Sequence, residues 1–273
     1  KLGEIELTEN SSPYLIAEIG VNHEGSLKKA FEMIDDAKTA GVNAVKFQTY
    51  KSNKIASKNS PAYWDTSKES TKSQYELFSK YDVFEKEDYI KLHKYCNKVG
   101  IEFLSTPFDL DSIDFFELLN FYKISSSDIT NYPLLRKVAT KKKPVILSTG
   151  ASTIEEIKKA KKELYKNGCK ELILMHCVLN YPTLNKNANL NTIKLLKEKF
   201  SDCIIGYSDH TLPNNNLQNL IYAYLLGAVI IEKHFTFDKT LKGNDHYHSM
   251  DKIDVQDFYK TLDILKSLMG KRE

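Results

Sequence analysis

Short apolar runs alternate with amphipathic stretches from one end of the chain to the other. The runs "YLIAEIG" (14–20), "AVKFQTY" (44–50), "IEFLSTPF" (101–108) and "FYKISSSD" (121–128) read as strands, bounded by turn residues. So do "PVILSTG" (144–150), "ELILMHCV" (171–178), "CIIGYSDH" (203–210) and "AVIIEKHF" (228–235). Between them the apolar spacing changes to a helical period. Leu27, Ala30, Phe31, Ile34 and Ala37 fall on one face, as do Ile154, Ile157, Ala160 and Leu164. A last helix carries Val255, Phe258, Leu262 and Leu265. Gly41, Gly100, Gly168 and Gly227 each stand just past a helix, where a left-handed cap favours glycine.

Eight strand–helix units within about 250 residues predict a (β/α)8 TIM barrel, one α/β domain over residues 1–273. A doubly wound open sheet also alternates, but more often stops at about five to seven strands. Residues 51–83 are the one long excursion. They follow the second strand on the face where functional loops concentrate, and read as a substrate lid.

The same switch from apolar to polar recurs at the strand ends. The first strand ends with Glu18, the second with Lys46 and Gln48, the third with Ser105 and Thr106. The fourth holds Lys123, Ser126 and Asp128, the fifth Ser148, and the sixth runs into Asn180 and Tyr181. The seventh ends with Ser208, Asp209 and His210, the eighth with Glu232, Lys233 and His234. Barrels of this kind build their active sites on that face.

Side chains two apart on a strand share a face, so Ser208 points with His210, and Glu232 with His234. Neighbouring strands are about 4.8 Å apart, so the two imidazoles can converge, with Glu18 beside them once the barrel closes. Two imidazoles and a carboxylate suit a divalent ion such as Mn²⁺, Co²⁺, Fe²⁺ or Zn²⁺. The competing reading is a pair of satisfied core histidines.

Lys46 and Lys123 need a different partner, because a lysine inside a barrel meets an anion or loses its charge. With the hydroxyls of Ser126, Ser148 and Ser208 they suit a phosphate or carboxylate. Internal neutralisation by Glu232 and Asp128 is the alternative, and a Schiff-base lysine is a further one.

Composition narrows the class. Hydrophobic content of 41% and charged content of 27% describe a globular chain, and no stretch approaches the roughly 20 apolar residues of a membrane span. The opening residues are too acidic and interrupted for a signal peptide. The net charge of +3 comes from lysines scattered among Glu and Asp, which argues against a nucleic-acid partner. Cys96, Cys169, Cys177 and Cys203 make no C-x-x-C pair, the mark of reduced thiols in a cytoplasmic protein.

The stretch "IAEIGVNHEGSLKKAFEMIDDAKTAGVNAVKFQTY" resembles the opening of sialic acid (N-acetylneuraminate) synthases and their legionaminic and pseudaminic acid relatives. "LSTPF", "YKISSSDITNYPLLRKVA", "KPVILSTGAS", "HCVLNYPT", "GYSDHT" and "EKHFTFD" follow in that family's order, over about residues 14–251. The resemblance implies condensation of phosphoenolpyruvate with an N-acetylated mannose-type aldose, to a nine-carbon 2-keto-3-deoxy acid and phosphate. It implies that His210 and His234 hold a divalent metal, Mn²⁺ or Mg²⁺, which polarises the aldehyde oxygen. Lys46, Lys123, Ser126, Ser148 and Ser208 match phosphoenolpyruvate-holding positions. Glu18, Gln48, Asp128, Tyr181 and Asp245 match the acceptor side; Thr106 and Asn180 join the substrate-binding candidates.

Glu18, Lys46 and Lys123 are the expected catalytic residues, Glu18 handling a proton as water adds to C2. Asp128 stands where the family usually carries glutamate. His246 and His248 in "GNDHYHSMD" touch the sugar or lie in a loop, the loop being the favoured expectation since loops are mostly surface. Many relatives append a small C-terminal antifreeze-like domain that reaches across a dimer; a homodimer is expected here too, and nothing in these 273 residues corresponds to that domain, so a single catalytic barrel is expected. The rival functions are a synthase of a shorter keto-deoxy sugar acid and a non-catalytic sugar- or phosphate-binding barrel.

Overall fold

A computed structural model describes all residues except 1, 3, 4, 9, 10, 68, 214–216, 244 and 271–273. Eight parallel strands alternate with helices: β1 (Tyr14–Gly20), β2 (Ala44–Thr49), β3 (Glu102–Pro107), β4 (Tyr122–Ile124), β5 (Val145–Ser148), β6 (Leu172–Cys177), β7 (Ile204–Asp209) and β8 (Ile230–His234). The ladder order β3-β2-β1-β8-β7-β6-β5-β4 wraps the sheet into a TIM barrel. The remaining seam brings β3 and β4 side by side without a shared ladder among the described residues.

The helices are α1 (Leu27–Ala40), α2 (Ser52–Ile55), α3 (Gln74–Tyr81), α4 (Lys86–Val99), α5 (Leu110–Phe115), α6 (Tyr132–Thr140), α7 (Ile154–Lys166), α8 (Thr192–Lys199), α9 (Gln218–Leu225) and α10 (Lys252–Met269). Local sequence sets their ends. Thr153 and Glu156 form a capping box on α7, as Asp251 and Asp254 do on α10. Gly41 closes α1 at φ 98°, a left-handed value that costs any side chain.

Strand alternation divides the interior. The outward row, including Leu15, Ala17, Val45, Phe47, Leu147 and Ile231, packs under the helices. The inward row begins with Tyr14, Ile16, Ala44, Leu104, Phe121, Ile146, Ile173, Met175 and Ile230, plugged from below by Leu2 and Leu7. One or two residues further along each strand, the inward row turns polar. Gly206 belongs to the apolar layer because a Cβ there would sit 2.7 Å from the Ile230 carbonyl oxygen.

The fourth strand is shorter than its sequence pattern: β4 stops at Ile124 and a 3-10 turn covers Ser126–Asp128. The Ser126 hydroxyl accepts the Gly150 N–H at 2.8 Å, which pulls the chain off the ladder. Strict alternation would send Ser126 opposite to Lys123; the turn brings it back to the mouth.

The excursion after β2 is folded. Lys51 pairs with Asp82 and Glu85 at its base, residues 61 and 73 bridge, and Lys80 pairs with the buried Glu69 at 2.9 Å. No helix among the described residues is long and apolar enough to cross a membrane.

Lys233 points outward, away from Glu232 and His234, and is fully buried. Its ammonium meets Asp209 at 2.6 Å and the Thr211 carbonyl at 2.7 Å. Tyr207 and the Thr211 hydroxyl donate to the same carboxylate. Burial alone would raise the Asp209 pKa, but Lys233 and these donors hold it below the usual carboxylate range. That stabilisation is present above the unfolded pKa of about 3.9 and is lost as pH falls through the lower folded value. Lys233→Met strands the carboxylate and is expected to lower stability by about 3–5 kcal/mol in urea unfolding. The double variant Lys233→Met/Asp209→Leu recovers most of that loss.

Candidate active site

At the C-terminal mouth four buried charges meet. The Lys46 ammonium pairs with Glu18 and donates to Thr106 Oγ1 at 3.0 Å. Lys123 donates to Ser148 Oγ at 2.7 Å. Glu232 Oε1 lies between the lysines, 3.7 Å from Lys46 Nζ and 3.8 Å from Lys123 Nζ, while its Oε2 is buried without a hydrogen-bond partner. Ser208 Oγ donates to Glu232 at 3.4 Å, and Gln48 Nε2 donates to Glu18 Oε1 at 2.9 Å.

The register explains the convergence. Glu18 is the ladder partner of Lys46 on one side and of His234 on the other, and Ser208 is the partner of Glu232. Burial raises the Glu18 pKa against the pull of Lys46. Burial works the same way on Glu232, but Lys123 and Lys46 prevail and hold it low. Burial, aided by Lys46, pushes Lys123 below the ordinary lysine range. Internal neutralisation of the lysines is therefore present, supplied by Glu18 and Glu232; Asp128 takes no part, its carboxylate accepting from Asn131 and Ser127.

Beside the quartet stand the imidazoles. The His210 and His234 rings lie 5.7 Å apart, with the Tyr181 ring 4.2 Å from His210. His210 Nδ1 is 2.8 Å from the Val178 carbonyl oxygen, which leaves Nε2 with a lone pair for the cavity. His234 Nδ1 is buried without a hydrogen-bond partner. Burial lowers the His210 pKa to about 4 and pushes that of His234 well below its ordinary value. Asp245 is raised by burial, and then by Glu18, to about 7.

Of the residues singled out in the sequence, Glu18, Lys46, Gln48, Thr106, Lys123, Ser126, Ser148, Tyr181, Ser208, His210 and His234 line one recess. Asp245 is buried against His234, its Oδ2 3.7 Å from His234 Nδ1. Asp128 is half-buried on the 3-10 turn, outside the recess lining. Asn180 is exposed and also outside it. Ser105 turns outward to Thr49.

The expected surface loop at His246 and His248 is corrected: both are buried, because the segment folds back over the ends of β8 and β1. Residues that pattern reading passed over are Phe108, Ser125 and Leu179, and Cys177, whose thiol meets Ser126 Oγ at 2.9 Å. Cys177 lies one ladder step from Ser208, so strand parity was the signal that could have found it.

With this geometry in hand, likeness to known proteins decides the family. The pattern of the NeuB family matches residues 33–273. The chain belongs to the NeuB family. It is 38% identical over 268 residues to an N,N'-diacetyllegionaminic acid synthase of Legionella pneumophila, covering 95% of this chain and 74% of that one. It is 37% identical over 245 residues to an N-acetylneuraminate-9-phosphate synthase of Drosophila melanogaster, covering 88% of this chain and 64% of that one. The structure of an N-acetylneuraminic acid synthetase from Leptospira borgpetersenii, in complex with citrate, superposes with a TM-score of 0.87 at 33% identity, covering 100% of this chain and 90% of that one. This NeuB member is an enzyme, and its barrel is that of its relatives.

Glu232 opposes any anion brought to the lysines. Glu232→Gln is expected to tighten binding of inorganic phosphate to the metal-free protein by about tenfold, since a unit charge about 4–5 Å away is worth more than 1 kcal/mol even when well screened. Titration calorimetry reads this directly, and an unchanged affinity would show that phosphate binds elsewhere.

Proposed function

We propose that this protein condenses phosphoenolpyruvate with an N-acetylated mannose-type aldose, N-acetylmannosamine or a diacetamido-trideoxy relative. The product is a nine-carbon 2-keto-3-deoxy sugar acid, with release of phosphate. The observation that carries this reading is the pair of buried ammonium groups, Lys46 and Lys123, beside two buried imidazoles in one recess. The names of the relatives support the substrate class.

The chain's own groups divide the work. Lys46 and Lys123, with Ser126, Ser148 and Ser208, hold the phosphate and carboxylate of phosphoenolpyruvate and fix the alkene face toward the mouth. Thr106 positions the Lys46 ammonium. Gln48, Tyr181 and Asp245 serve the acceptor, and Asp128 and Asn180, which lie outside the recess lining, meet it only where it extends past the rim. Glu18, oriented by Gln48 and Lys46, moves a proton as water adds at C2.

The recess also fits a divalent cation: His234 Nδ1 is orphaned in the interior, and His210 Nε2 is left free by the Val178 bond. Mn²⁺ or Mg²⁺ there would supply Lewis-acid polarisation of the aldehyde oxygen. Charge supports this assignment. With the histidines neutral, Lys46, Lys123, Glu18 and Glu232 sum to zero, so an enol phosphate arrives without net compensation unless cationic charge or protons enter with it.

Four buried thiols without disulfides favour a reducing, cytoplasmic setting. The expected homodimer has apolar surface available at Leu225 of α9 and at Ile264 and Leu268 of α10.

Phosphate release is expected with phosphoenolpyruvate and N-acetylated aldoses, and not with arabinose 5-phosphate or erythrose 4-phosphate. Turnover restricted to the latter pair would assign a shorter keto acid. Lys123→Met is expected to weaken phosphoenolpyruvate binding more than tenfold. Glu18→Gln is expected to lower kcat by about 10²-fold or more while phosphoenolpyruvate still binds; near-full turnover would remove its proton role. Chelation is expected to abolish activity, with Mn²⁺ restoring the parent enzyme but neither His210→Ala nor His234→Ala.

A further inference from the structure

The segment between Phe235 and α10 is anchored at both edges of the mouth. Met250 N–H donates to the His234 carbonyl at 2.8 Å, and Thr236 N–H donates to the Met250 carbonyl at 2.9 Å. Asn22, from the turn after β1, donates to the Phe235 carbonyl at 2.9 Å and to Ser249 Oγ at 3.1 Å, and Ser249 in turn donates to the Asp245 carbonyl. This lacing fixes residues 245–250 above the end of β8, so their side chains are presented in set directions.

The two histidines of the segment part company there. His246 turns away from the recess: its Nδ1 meets Thr236 Oγ1 at 2.8 Å and its Nε2 lies 3.6 Å from Glu24. His248 turns inward and is fully buried. Its ring lies 5.0 Å from that of His234 and 5.7 Å from that of Tyr181, and its Nε2 is 3.9 Å from Asp245 Oδ1. Donor atoms of His234, Asp245 and His248 all lie within 4.8 Å of one another. Bonds of about 2.1 Å around a shared cation place donors about 3–4.2 Å apart, so the three need draw in by only about half an ångström.

We propose that His248 is a metal ligand in this protein, joining His234 and Asp245, so that the cation is gripped by more than the imidazoles of the last two strands. The assignment rests on the metal-assisted reading above and adds to it a metal preference. Two or three imidazoles and one carboxylate form a nitrogen-rich set, which follows the Irving–Williams order and discriminates against Mg²⁺, a cation that favours oxygen and water. The protein therefore binds Co²⁺ and Zn²⁺ far more tightly than Mg²⁺. Neighbouring His246 serves as the internal contrast, because it sits in the same segment and faces the other way.

Metal-free protein titrated with Co²⁺ tests this without reference to turnover. The parent is expected to develop visible ligand-field bands that Zn²⁺ displaces and a hundredfold excess of Mg²⁺ does not. His248→Phe, which keeps an aromatic ring without a donor, is expected to weaken Co²⁺ at least tenfold and to shift the bands. His248→Gln serves as the second variant, with circular dichroism confirming that each folds, and His246→Gln is expected to change neither property. Unchanged affinity and bands in both His248 variants, or displacement by equimolar Mg²⁺, would overturn the assignment. If Co²⁺ is then lost only in His210→Ala and His234→Ala, the metal-assisted reading stands without His248. Absence of Co²⁺ binding by the parent would end both.

Discussion

Two ammonium groups and two carboxylates packed together at the mouth of the barrel are the constraint on which the site depends. Lys46, Lys123, Glu18 and Glu232 come from four separate strands, β2, β4, β1 and β8, and each is almost completely buried. No one of them could remain ionised there alone, because an unpaired charge in the interior costs several kcal/mol even after relaxation. Their mutual arrangement, tightened by Thr106, Ser148, Gln48 and Ser208, lets them coexist. A balance of this sort is poised: an incoming anion competes with the carboxylates for the ammonium groups, and an incoming cation relieves that competition.

The rest of the fold supports this balance from below and outside. The apolar inward layer under the quartet, from Tyr14 and Ile16 round to Met175 and Ile230, excludes water from beneath it. The Asp209–Lys233 pair on the outward face of β7 and β8 secures the two strands whose inward neighbours are Ser208, His210, Glu232 and His234. The Asp209–Lys233 pair is satisfied by four further polar contacts, whereas Glu232 of the quartet keeps an orphaned oxygen and His234 beside it an orphaned nitrogen. That difference in satisfaction separates a support from a site, because a native interior otherwise leaves few polar groups unmade.

Much of this was readable in one dimension. Period-two alternation put Ser208 on one face with His210 and Glu232 with His234, and closure brought Glu18 beside them, since a strand's geometry leaves only two faces to choose from. The same rule failed wherever the backbone leaves the ladder. Ser126 enters the recess through a 3-10 turn, and Asn180 and Asp128 fall outside it, because no alternation applies beyond Cys177 or Ile124. His248 was missed for a related reason: polarity and loop position suggest solvent, whereas hydrogen bonds from Asn22, more than two hundred positions away, hold down the segment in which it is buried.

The barrel, the order of its strands, the polarity gradient along each of them and, through the motifs, membership of the NeuB family are all written in the chain. These follow from local periodicity and from residue types that a short window displays. Tertiary structure alone decided which carboxylate faces which lysine, that Lys233 belongs to Asp209 rather than to the recess, and that Asp245 and His248 return to His234. Such pairings depend on closure of the sheet and on the path of a connecting loop, and Coulomb and coordination energies change over a few ångströms that no spacing along the chain encodes.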